Sequence, residues 1–249
     1  MINEPTAASL AYAYKSLENT EKKIIVIDFG GGTLDLTLLN YRKNKDGIYC
    51  DVKFTYGNTN FGGEDFDNIL ADKCLAQCID NLDNETNVSN EHVRENKFHY
   101  LRMKRACERA KIKLSSFDSA NIYIQNDNFE NIDFSITRNE FIEYCKEEFN
   151  KFKKILDDFI HESKINIKDI TEIILTGGST LIPKIRDIIS KKFSSSEIKN
   201  DLDPKEVVAM GAAIRGAKFC GLSSVKDIKL FDVTNLSLGV KLKDNLFEK

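Results

Sequence analysis

The sequence predicts an α/β fold, a mixed sheet with flanking helices, from three observations in a chain of 249 residues. Residues 24–28 are an apolar run that ends in an aspartate. Three consecutive glycines follow at residues 30–32, and residues 33–40 then have the alternating pattern of a strand. Residues 172–176 are a second β-type run, and it ends in Gly177-Gly178 before a helix. Residues 64–80 place apolar side chains at helical spacing. Strands that alternate with amphipathic helices are typical of a sheet covered by helices.

The N-terminal third predicts a helix, a three-stranded antiparallel meander and a second helix. Pro5 stands where proline is favoured in the first helical turn. Residues 44–47 predict a turn between the second and third strands. In chain order the predicted elements are a helix at 6–14, strands at 24–28, 33–40 and 48–56, and a helix at 64–80.

The rest of the chain predicts four more helices and three more strands. Thr137 and Glu140 have the spacing of a capping box, and Asp203 and Glu206 have it again, with Pro204 in the first helical position. The predicted elements are a polar loop at 81–90, a helix at 93–114, strands at 120–124 and 131–135, a helix at 137–163, a strand at 172–176, and helices from 183 and at 207–219.

Three consecutive glycines at residues 30–32 lie between two strands, and such a run costs chain entropy on folding. Where no Cβ intrudes, bare backbone N–H groups can surround phosphate oxygens. Asp28 and Asp35 flank this turn and can hold a hydrated Mg²⁺, which uses few carboxylates and keeps several waters. Thr33 adds a hydroxyl. The pattern predicts a phosphate and metal site, and the alternative is a glycine-rich hairpin with capping acids.

This turn differs from the glycine loops of other nucleotide folds. Neither Gly-x-x-x-x-Gly-Lys-Ser/Thr after a strand nor Gly-x-Gly-x-x-Gly opening a helix is present. The run is strand–turn–strand, which predicts a phosphate held in a β-hairpin. Gly177-Gly178 is a second candidate, because α/β sheets bind ligands at the carboxyl ends of their strands.

Composition and charge limit the possible functions. Apolar residues make up 41% and charged residues 30% of the chain, and no apolar run approaches membrane-spanning length. A net charge of −3 argues against broad nucleic-acid binding. Six cysteines without a Cys-x-x-Cys pair favour reduced, buried thiols, and three histidines form no ligand set. No signal peptide is visible. We therefore expect a cytoplasmic protein with no nucleic-acid or membrane partner.

Five motifs in chain order resemble the actin-like ATPases, and most closely the seventy-kilodalton heat-shock chaperones. Each motif alone is moderately specific, whereas five in register are very specific, and the match runs almost end to end. The motifs are Ile2-Asn3-Glu4-Pro5-Thr6-Ala7-Ala8, Asp28-Phe29-Gly30-Gly31-Gly32-Thr33-Leu34-Asp35, Phe61-Gly62-Gly63-Glu64-Asp65-Phe66-Asp67, Ala106-Cys107-Glu108-Arg109-Ala110-Lys111 and Gly177-Gly178-Ser179-Thr180. The resemblance implies the second lobe of an actin-like, ribonuclease H-like ATPase domain with an inserted α+β subdomain.

The resemblance also implies a role for individual residues. The implied catalytic residues are Glu4, Asp28, Thr33 and Asp35, and Asp28 and Asp35 are implied to hold Mg²⁺ through water. The residues implied to contact ATP or ADP are Gly30, Gly31, Gly32, Thr33, Gly63, Glu108, Lys111, Ser115, Gly177, Gly178 and Ser179. Taken alone, Glu4 fits equally well as an acid complementing a helix N-terminus.

Glu108, Lys111 and Ser115 lie along one helical face, and the resemblance implies that they bind ribose and adenine. Without the resemblance, Glu108 and Lys111 indicate a surface ion pair.

The chain departs from the family pattern around the base. Two arginines that stack on adenine in the family are replaced by Ile112 and Leu181. A stacked guanidinium contributes roughly 0.5–2 kcal/mol. Lys205 replaces an aspartate near the base edge, and Asn58 replaces an aspartate in a strand–helix turn. These departures concern nucleotide affinity or base selectivity more than phosphate chemistry.

The resemblance implies a domain division. The expected units are a second-lobe fragment at 1–220 (core 16–61 and 164–202, inserted subdomain 62–163, helical ends 1–15 and 203–220 at the lobe interface), an interdomain linker at 221–235, and the start of a peptide-binding domain at 236–249. The family's first phosphate loop and catalytic lysine belong to a first lobe that does not match here, so we expect a fragment that is inactive alone. For residues 227–232 of an isolated lobe we expect a tether; in an ATP-bound protein we expect a strand added to the edge of the meander.

The main functional hypothesis is the nucleotide-binding lobe of an ATP-dependent chaperone that couples ATP binding and hydrolysis to the binding and release of unfolded polypeptides. A J-domain co-chaperone and a nucleotide-exchange factor are the implied partners. The alternative is a degenerate, non-hydrolysing relative that acts as a binding or nucleotide-exchange partner. Ile112, Leu181 and Lys205 favour the alternative, and the intact glycine and acid motifs oppose it. A third hypothesis, another actin-like kinase, is disfavoured by the motifs at 64–67 and 107–111.

Overall fold

A six-stranded mixed sheet forms the centre of the protein, in a computed structural model that describes residues 2–15, 20–82, 97–124, 132–199, 201–225, 227–233, 240–241 and 247–248. The strands are β1 (Glu21–Phe29), β2 (Leu34–Asn44), β3 (Gly47–Asn58), β4 (Ser119–Ile124), β5 (Ile132–Thr137), β6 (Ile170–Thr176), β7 (Glu197–Lys199), β8 (Ile228–Phe231), β9 (Val240–Lys241) and β10 (Phe247–Glu248). The helices are α1 (Glu4–Lys15), α2 (Gly63–Leu82), α3 (Lys97–Leu114), α4 (Arg138–Tyr144), α5 (Lys146–Ser163), α6 (Pro183–Lys192) and α7 (Val207–Phe219). Short 3₁₀ turns lie at Ile167–Asp169, Gly178–Leu181 and Ser223–Val225.

The strand order across the sheet is β7-β6-β1-β2-β3-β8. Strands β1, β2 and β3 form the antiparallel meander predicted from the sequence. Strand β6 lies parallel to β1, β7 lies parallel to β6, and β8 lies parallel to β3. Because β1 and β6 are parallel neighbours, their carboxyl ends reach the same edge of the sheet, and the glycine turns that follow both strands meet there.

Strand β1 is buried on both faces, which explains why its sequence is continuously apolar rather than alternating. Ile25 and Ile27 belong to the larger core, which includes side chains of α2, α3, α5 and α6. Ile24 and Val26 belong to a second core on the opposite face, together with α1 and α7. The sheet is therefore the middle of three layers, as strands alternating with helices predict.

Helices α1 and α7 pack closely because a glycine lies where they meet. A Cβ atom at Gly211 would lie 1.7 Å from the carbonyl oxygen of Ala7, so any larger residue would push the two helices apart. Four other small residues of α7 are exposed: Ala209, Ala212, Ala213 and Gly216.

The long helix expected over residues 137–163 is wrong, because the structure divides it into α4 and α5. The break lies at Cys145, whose backbone (φ −97°, ψ 23°) leaves the helical conformation. The capping box before α4 is confirmed: Thr137 Oγ1 accepts from the Glu140 N–H at 3.3 Å, and the Glu140 carboxylate accepts from the Thr137 N–H at 2.8 Å.

Helix α5 packs against the central sheet. The Phe152 ring stacks on Phe29 of β1 with centroids 5.3 Å apart, and Phe159 contacts Phe54 of β3 with centroids 5.8 Å apart. The expected boundaries place α5 in the inserted subdomain at 62–163, and that division stays a prediction.

The segment expected to be a tether in an isolated lobe is a strand in the structure, so the tether prediction is wrong. Ile228 of β8 pairs with Ile48 of β3, and the Ile48 N–H donates to the Asp227 carbonyl at 2.9 Å. Ile228 is buried, and the Asp232 carboxylate accepts from the Thr6 hydroxyl at 3.0 Å. β8 forms backbone hydrogen bonds with the edge of β3 that the other strands leave open. This is the edge of the meander that the sequence predicted for strand addition.

The capping box expected at Asp203 is also wrong. Helix α7 begins at Val207 with Glu206 as its N-cap residue and no side-chain capping bond. Asp203 Oδ1 instead accepts from the Lys205 N–H at 2.8 Å. The residues between form a turn that brings the Pro204 carbonyl to the Gly177 N–H, at 2.9 Å.

Some predicted features lie outside the described residues. Helix α2 continues to Leu82, and the rest of the predicted loop at 81–90 falls in the range 83–96, outside the description. Of residues 236–249 the structure describes the antiparallel pair β9 and β10. Within the described ranges, no helix combines the length and the apolar character needed to cross a bilayer.

Candidate functional site

Three turns that are distant in the sequence meet at one carbonyl oxygen. The Gly30 N–H donates to the Thr33 carbonyl at 3.0 Å, which closes the turn after β1. The Gly30 carbonyl then accepts from the Gly63 N–H at 2.9 Å and from the Ser179 hydroxyl at 2.8 Å. The turn after β1, the start of α2 and the turn after β6 therefore form one cluster, which we call the glycine cluster.

Some glycines of the cluster are required by the packing of the chain on itself. A Cβ at Gly62 would lie 2.1 Å from the Gly31 carbonyl oxygen, and a Cβ at Gly63 would lie 2.5 Å from Ser179 Oγ. Gly177 has φ +83°, which favours glycine, and its Cβ would lie 2.3 Å from the Phe29 carbonyl oxygen. These residues are explained by folding alone.

Other glycines of the cluster are not required by the packing. A Cβ at Gly31, Gly32 or Gly178 would meet no atom within 4 Å, and none of the three has a positive φ. The fold would accept alanine at each of them. Glycine is needed there only if something outside the chain approaches the backbone, which is how bare N–H groups receive a phosphate.

Carboxylates gather beside the glycine cluster. Asp28 and Asp35 face each other in the β1–β2 pair, and Glu4 lies in the first turn of α1. Burial, reinforced by the negative charges of Glu4 and Asp35, raises the pKa of Asp28 to about 7. Burial also raises the pKa of Asp35, with a hydrogen bond from Thr33 acting in the opposite direction. The structure thus brings together the four residues implied to be catalytic.

This acidic group fits a cation held through water. Carboxyl groups whose pKa values are raised by burial and by neighbouring negative charges gain from a positive charge placed beside them. Among the described residues, no group of three or more His, Cys, Asp or Glu side chains has the geometry of a direct metal cage. Mg²⁺ characteristically keeps several waters and uses few carboxylates, so Asp28 and Asp35 suit it better than they suit a closed site.

Lys111 connects helix α3 to the glycine cluster through hydrogen bonds. Its ammonium donates to the Gly63 carbonyl at 2.7 Å and to Asp67 Oδ2 at 2.8 Å. Both side chains of the ion pair are buried, at 10% and 4% exposure for Lys111 and Asp67. Lys111 therefore fixes the distance between α2 and α3, and its role as a nucleotide contact stays a prediction.

A cleft of about 850 Å³ opens between the glycine cluster and the wall formed by α3 and α6. Eight of the residues implied to contact nucleotide line it: Gly30, Gly31, Gly63, Glu108, Lys111, Ser115, Gly178 and Ser179. Ile112 and Leu181, which replace the family's arginines, line it as well. The predicted base, ribose and phosphate positions are thus walls of one cavity of nucleotide size.

Two polar residues of this cleft were not predicted from the sequence to be site residues. Asp67 lies one turn after Gly63 on α2, and its spacing was the available signal. Arg186 lies at the start of α6, and its Nε donates to the Thr180 carbonyl at 3.0 Å. Lys205, which was singled out only as a departure, lines the cleft beside them. Three cationic side chains therefore border the cavity: Lys111, Arg186 and Lys205.

The fold and the cleft together define a class: an actin-like α/β fold whose glycine turns face a cavity at the carboxyl edge of its sheet. Comparison with known families then identifies the group within that class. The model of the family described as Hsp70 protein matches residues 1–249, and the chain belongs to the Hsp70 family. The actin-like fold and the family predicted from the sequence are confirmed.

Curated relatives agree with this assignment. The heat shock 70 kDa protein of Neurospora crassa is 38% identical over 255 aligned residues, covering 100% of this chain and 38% of that protein. Heat shock cognate 70 kDa protein 3 of Dictyostelium discoideum is 37% identical over 97% of this chain. The heat shock 70 kDa protein of Trichophyton rubrum is 38% identical over 97% of this chain. The chain spans 38%, 37% and 36% of the length of these three relatives.

Proposed function

We propose that the chain is the nucleotide-binding lobe of an ATP-dependent Hsp70-type chaperone, and that ATP or ADP occupies the cleft. The observation that carries the proposal is the contrast among the glycines: Gly31, Gly32 and Gly178 have open space where a side chain would go, although folding does not require glycine there. Family membership supports the same conclusion, since Hsp70 proteins are nucleotide-binding ATPases.

In this proposal the phosphates lie against the backbone N–H groups of the open glycines. The hydroxyl of Thr33 lies at the same turn, and Asp28, Asp35 and Glu4 would hold Mg²⁺ through its waters. When bound, Mg²⁺ supplies positive charge for the phosphate oxygens. Because the pKa of Asp28 is raised to about 7, its carboxyl group is only partly ionised near neutral pH while no cation is beside it.

The α3 and α6 walls hold the nucleoside. Ser115 and Glu108 are the polar groups that α3 offers to ribose and base, and Lys111 places that helix by its bond to Gly63. Ile112 and Leu181 provide apolar contact to the faces of the base. Apolar faces hold a base less tightly than stacked guanidinium groups, so we expect weak binding.

Catalysis requires residues beyond those of this lobe. Phosphoryl transfer depends on positioning and charge stabilisation from all sides of the phosphate. The exposed small residues of α7 and the exposed ends of α1 beside it are the surface that we propose faces the first lobe of the intact protein. Hydrolysis, binding of unfolded polypeptides, and partnership with a J-domain co-chaperone and a nucleotide-exchange factor are proposals for the whole protein, and so is a cytoplasmic location.

One observation favours a second candidate function. Ile112 and Leu181 line the cleft, and Ile112 is 56% exposed there. These are the two positions at which the family resemblance implies arginines that stack on the base. This arrangement suits a non-hydrolysing relative that acts as a binding or nucleotide-exchange partner. The ATPase activity of the full-length protein, with and without a J-domain co-chaperone, separates the two: turnover stimulated by the co-chaperone supports the first, and its absence supports the second.

The glycine contrast gives the direct test of nucleotide binding. Gly31→Ala and Gly178→Ala add a methyl group to open space, as does Gly216→Ala on α7, so all three variants should fold like the parent chain. Calorimetric titration with magnesium ADP should show weak binding by the parent chain and by Gly216→Ala. The two cleft variants should lose at least about tenfold in affinity, about 1.4 kcal/mol.

Two results count against the proposal. Equal affinity in all four proteins would show that the open glycines do not receive phosphate. Nanomolar binding by this lobe alone would show that the site needs no second lobe.

A further inference from the structure

Lys205 differs from the other two cations that border the cleft. The Lys111 ammonium is held in a buried ion pair, and Arg186 Nε donates to the Thr180 carbonyl at 3.0 Å. Lys205 is exposed, and within the described ranges its ammonium has no hydrogen-bond or ion-pair partner. The positive charge of Lys205 is therefore available to a ligand in the cleft that it lines.

The backbone around Lys205 is fixed against the turn that follows β6. The Pro204 carbonyl accepts from the Gly177 N–H at 2.9 Å. Asp203 Oδ1 accepts from the Lys205 N–H at 2.8 Å, which holds the residue that carries the charge. The side chain of Lys205 therefore leaves the backbone beside the turn that contains Gly178, and both residues line the cleft.

Gly178 is one of the glycines at which the chain leaves room for something outside it. A Cβ atom there would meet no atom within 4 Å. A phosphate received by this backbone would lie within reach of the flexible four-carbon stem of Lys205, and lysine binds phosphate as a compact point charge. The magnesium complexes of nucleoside di- and triphosphates keep a net negative charge, which an ammonium beside them neutralises in part.

The wall proposed to hold the base has little means of distinguishing one base from another. Ile112 and Leu181 are aliphatic and meet a base through its face, and every base has such a face. The Ser115 hydroxyl donates to the Lys111 carbonyl at 3.5 Å, and a hydroxyl can accept as well as donate. The Glu108 carboxylate suits ribose hydroxyls, which all ribonucleotides share. Strong discrimination needs hydrogen-bonding groups that the wrong ligand leaves unpaired, and this wall offers few of them.

We propose, given the proposed function, that Lys205 is a phosphate contact and that the cleft selects nucleoside di- and triphosphates by their phosphates and not by their base. The ligand class is ribonucleotides with two or more phosphates, whether the base is adenine, guanine or cytosine. Inorganic pyrophosphate shares the phosphate chemistry and lacks the nucleoside. It should bind more weakly than a nucleoside diphosphate, because it makes no contact with Ile112 or Leu181.

Calorimetric titration of the whole 249-residue chain tests the selection. The magnesium complexes of ADP, GDP and CDP should bind with affinities within about threefold of one another. AMP should bind at least about tenfold more weakly than ADP, because it lacks the second phosphate. Magnesium pyrophosphate is titrated in the same way to separate the phosphates from the nucleoside.

A series of substitutions at position 205 tests the contact. Lys205→Met should weaken all three diphosphates by the same factor, roughly five- to tenfold, because each complex loses one charged contact. Lys205→Asp should weaken them further, and Lys205→Arg should keep most of the affinity. Lys154→Met removes an exposed lysine that does not line the cleft and is the matched control. Added salt should weaken binding by the parent chain more than binding by Lys205→Met, because salt screens an exposed charge.

The outcomes separate the contact, the selection and the proposed function. Equal affinity of Lys205→Met and the parent chain for every diphosphate would overturn the contact. A preference of more than about tenfold for ADP over GDP and CDP would overturn selection by phosphate. Pyrophosphate binding as tight as ADP binding would show that the nucleoside contributes nothing and that the ligand class is wrong. If the parent chain binds none of the magnesium nucleotides, the proposed function fails and the role of Lys205 fails with it, whereas the first two results leave the proposed function standing.

Discussion

The proposed phosphate side and the proposed base side of the cleft are built from different parts of the chain. The phosphate side is backbone, locked by glycines whose side chains would collide with neighbouring carbonyls, as at Gly62 and Gly177. The base side consists of side chains, among them Ile112 at 56% exposure and Leu181. An exposed side chain can change within about 0.5 kcal/mol of stability, whereas a packed glycine cannot. Packing therefore enforces Gly62 and Gly177, whereas it enforces neither the open glycines Gly31, Gly32 and Gly178 nor the exposed side chain of Ile112.

The largest effect is expected when the buried ion pair between Lys111 and Asp67 is broken. Lys111→Met should leave the Asp67 carboxylate buried without its cation, and breaking such a pair costs roughly 3–5 kcal/mol. Urea denaturation of the variant and the parent chain measures the loss. Lys113→Met on the exposed face of the same helix is the control and should stay near the parent value.

Adding Asp67→Asn to Lys111→Met should restore part of the lost stability, because the remaining buried charge is then neutralised. If Lys111→Met lowers the free energy of unfolding by less than about 1 kcal/mol, the ion pair contributes no more than an exposed surface pair does.

A smaller effect is expected on the base side. Ile112→Arg and Leu181→Arg return the guanidinium groups that the family pattern has there, and each should tighten ATP by roughly 0.5–2 kcal/mol if it stacks on the base. Leu222→Arg adds the same charge at an exposed position far along the chain and controls for general electrostatic attraction. Calorimetric titration compares the three variants. Unchanged affinity in the two cleft variants would mean that these positions do not face the base.

The smallest effect is expected at an exposed side chain of β8, the strand at the edge of the sheet. Phe231 is 54% exposed at the end of β8, so Phe231→Asp should change stability by no more than about 0.5 kcal/mol. Ile228→Asp buries a charge at the same strand and should release β8 from β3. Hydrogen exchange of the Ile48 amide, which donates to Asp227, reports the pairing. Equal protection in both variants would show that side-chain burial does not hold β8.

Local patterns predicted the elements that local rules control. The apolar run of β1, the meander and the Thr137 capping box follow from strand propensity and side-chain spacing, and the structure confirms each of them. The break at Cys145 was missed because the residues around it have helical spacing on both sides and no glycine or proline marks it. The predicted bounds of α7, residues 207–219, are confirmed, but the capping box before it was wrong, because Asp203 bonds to Lys205 in a turn and a turn and a cap use the same residue types.

The residues of the candidate site that belong to a sequence motif could be predicted from the sequence. The residues that reach the site only through long-range contacts could not. The glycines and Asp28 stand in recognisable runs, so sequence alone singled them out. No sequence pattern indicated that Lys111 would be buried against Asp67, or that Arg186 would border the same cavity, because those contacts join elements that are far apart in the chain. Burial of β8 was missed for a related reason, since pairing to an open edge depends on the geometry of β3 and not on the β8 sequence alone.

The hydrogen bonds that the Gly30 carbonyl accepts limit how early in folding the site can form. It accepts a hydrogen bond from Ser179, a residue 149 positions further along the chain, as well as from Gly63. Contacts of such long sequence separation close late, because the entropy of the intervening loop has to be lost first. On a ribosome, the turn after β1 emerges long before the hydroxyl that completes its surroundings. The cavity is therefore among the last features of this lobe to form during synthesis, after most of the lobe has already left the exit tunnel.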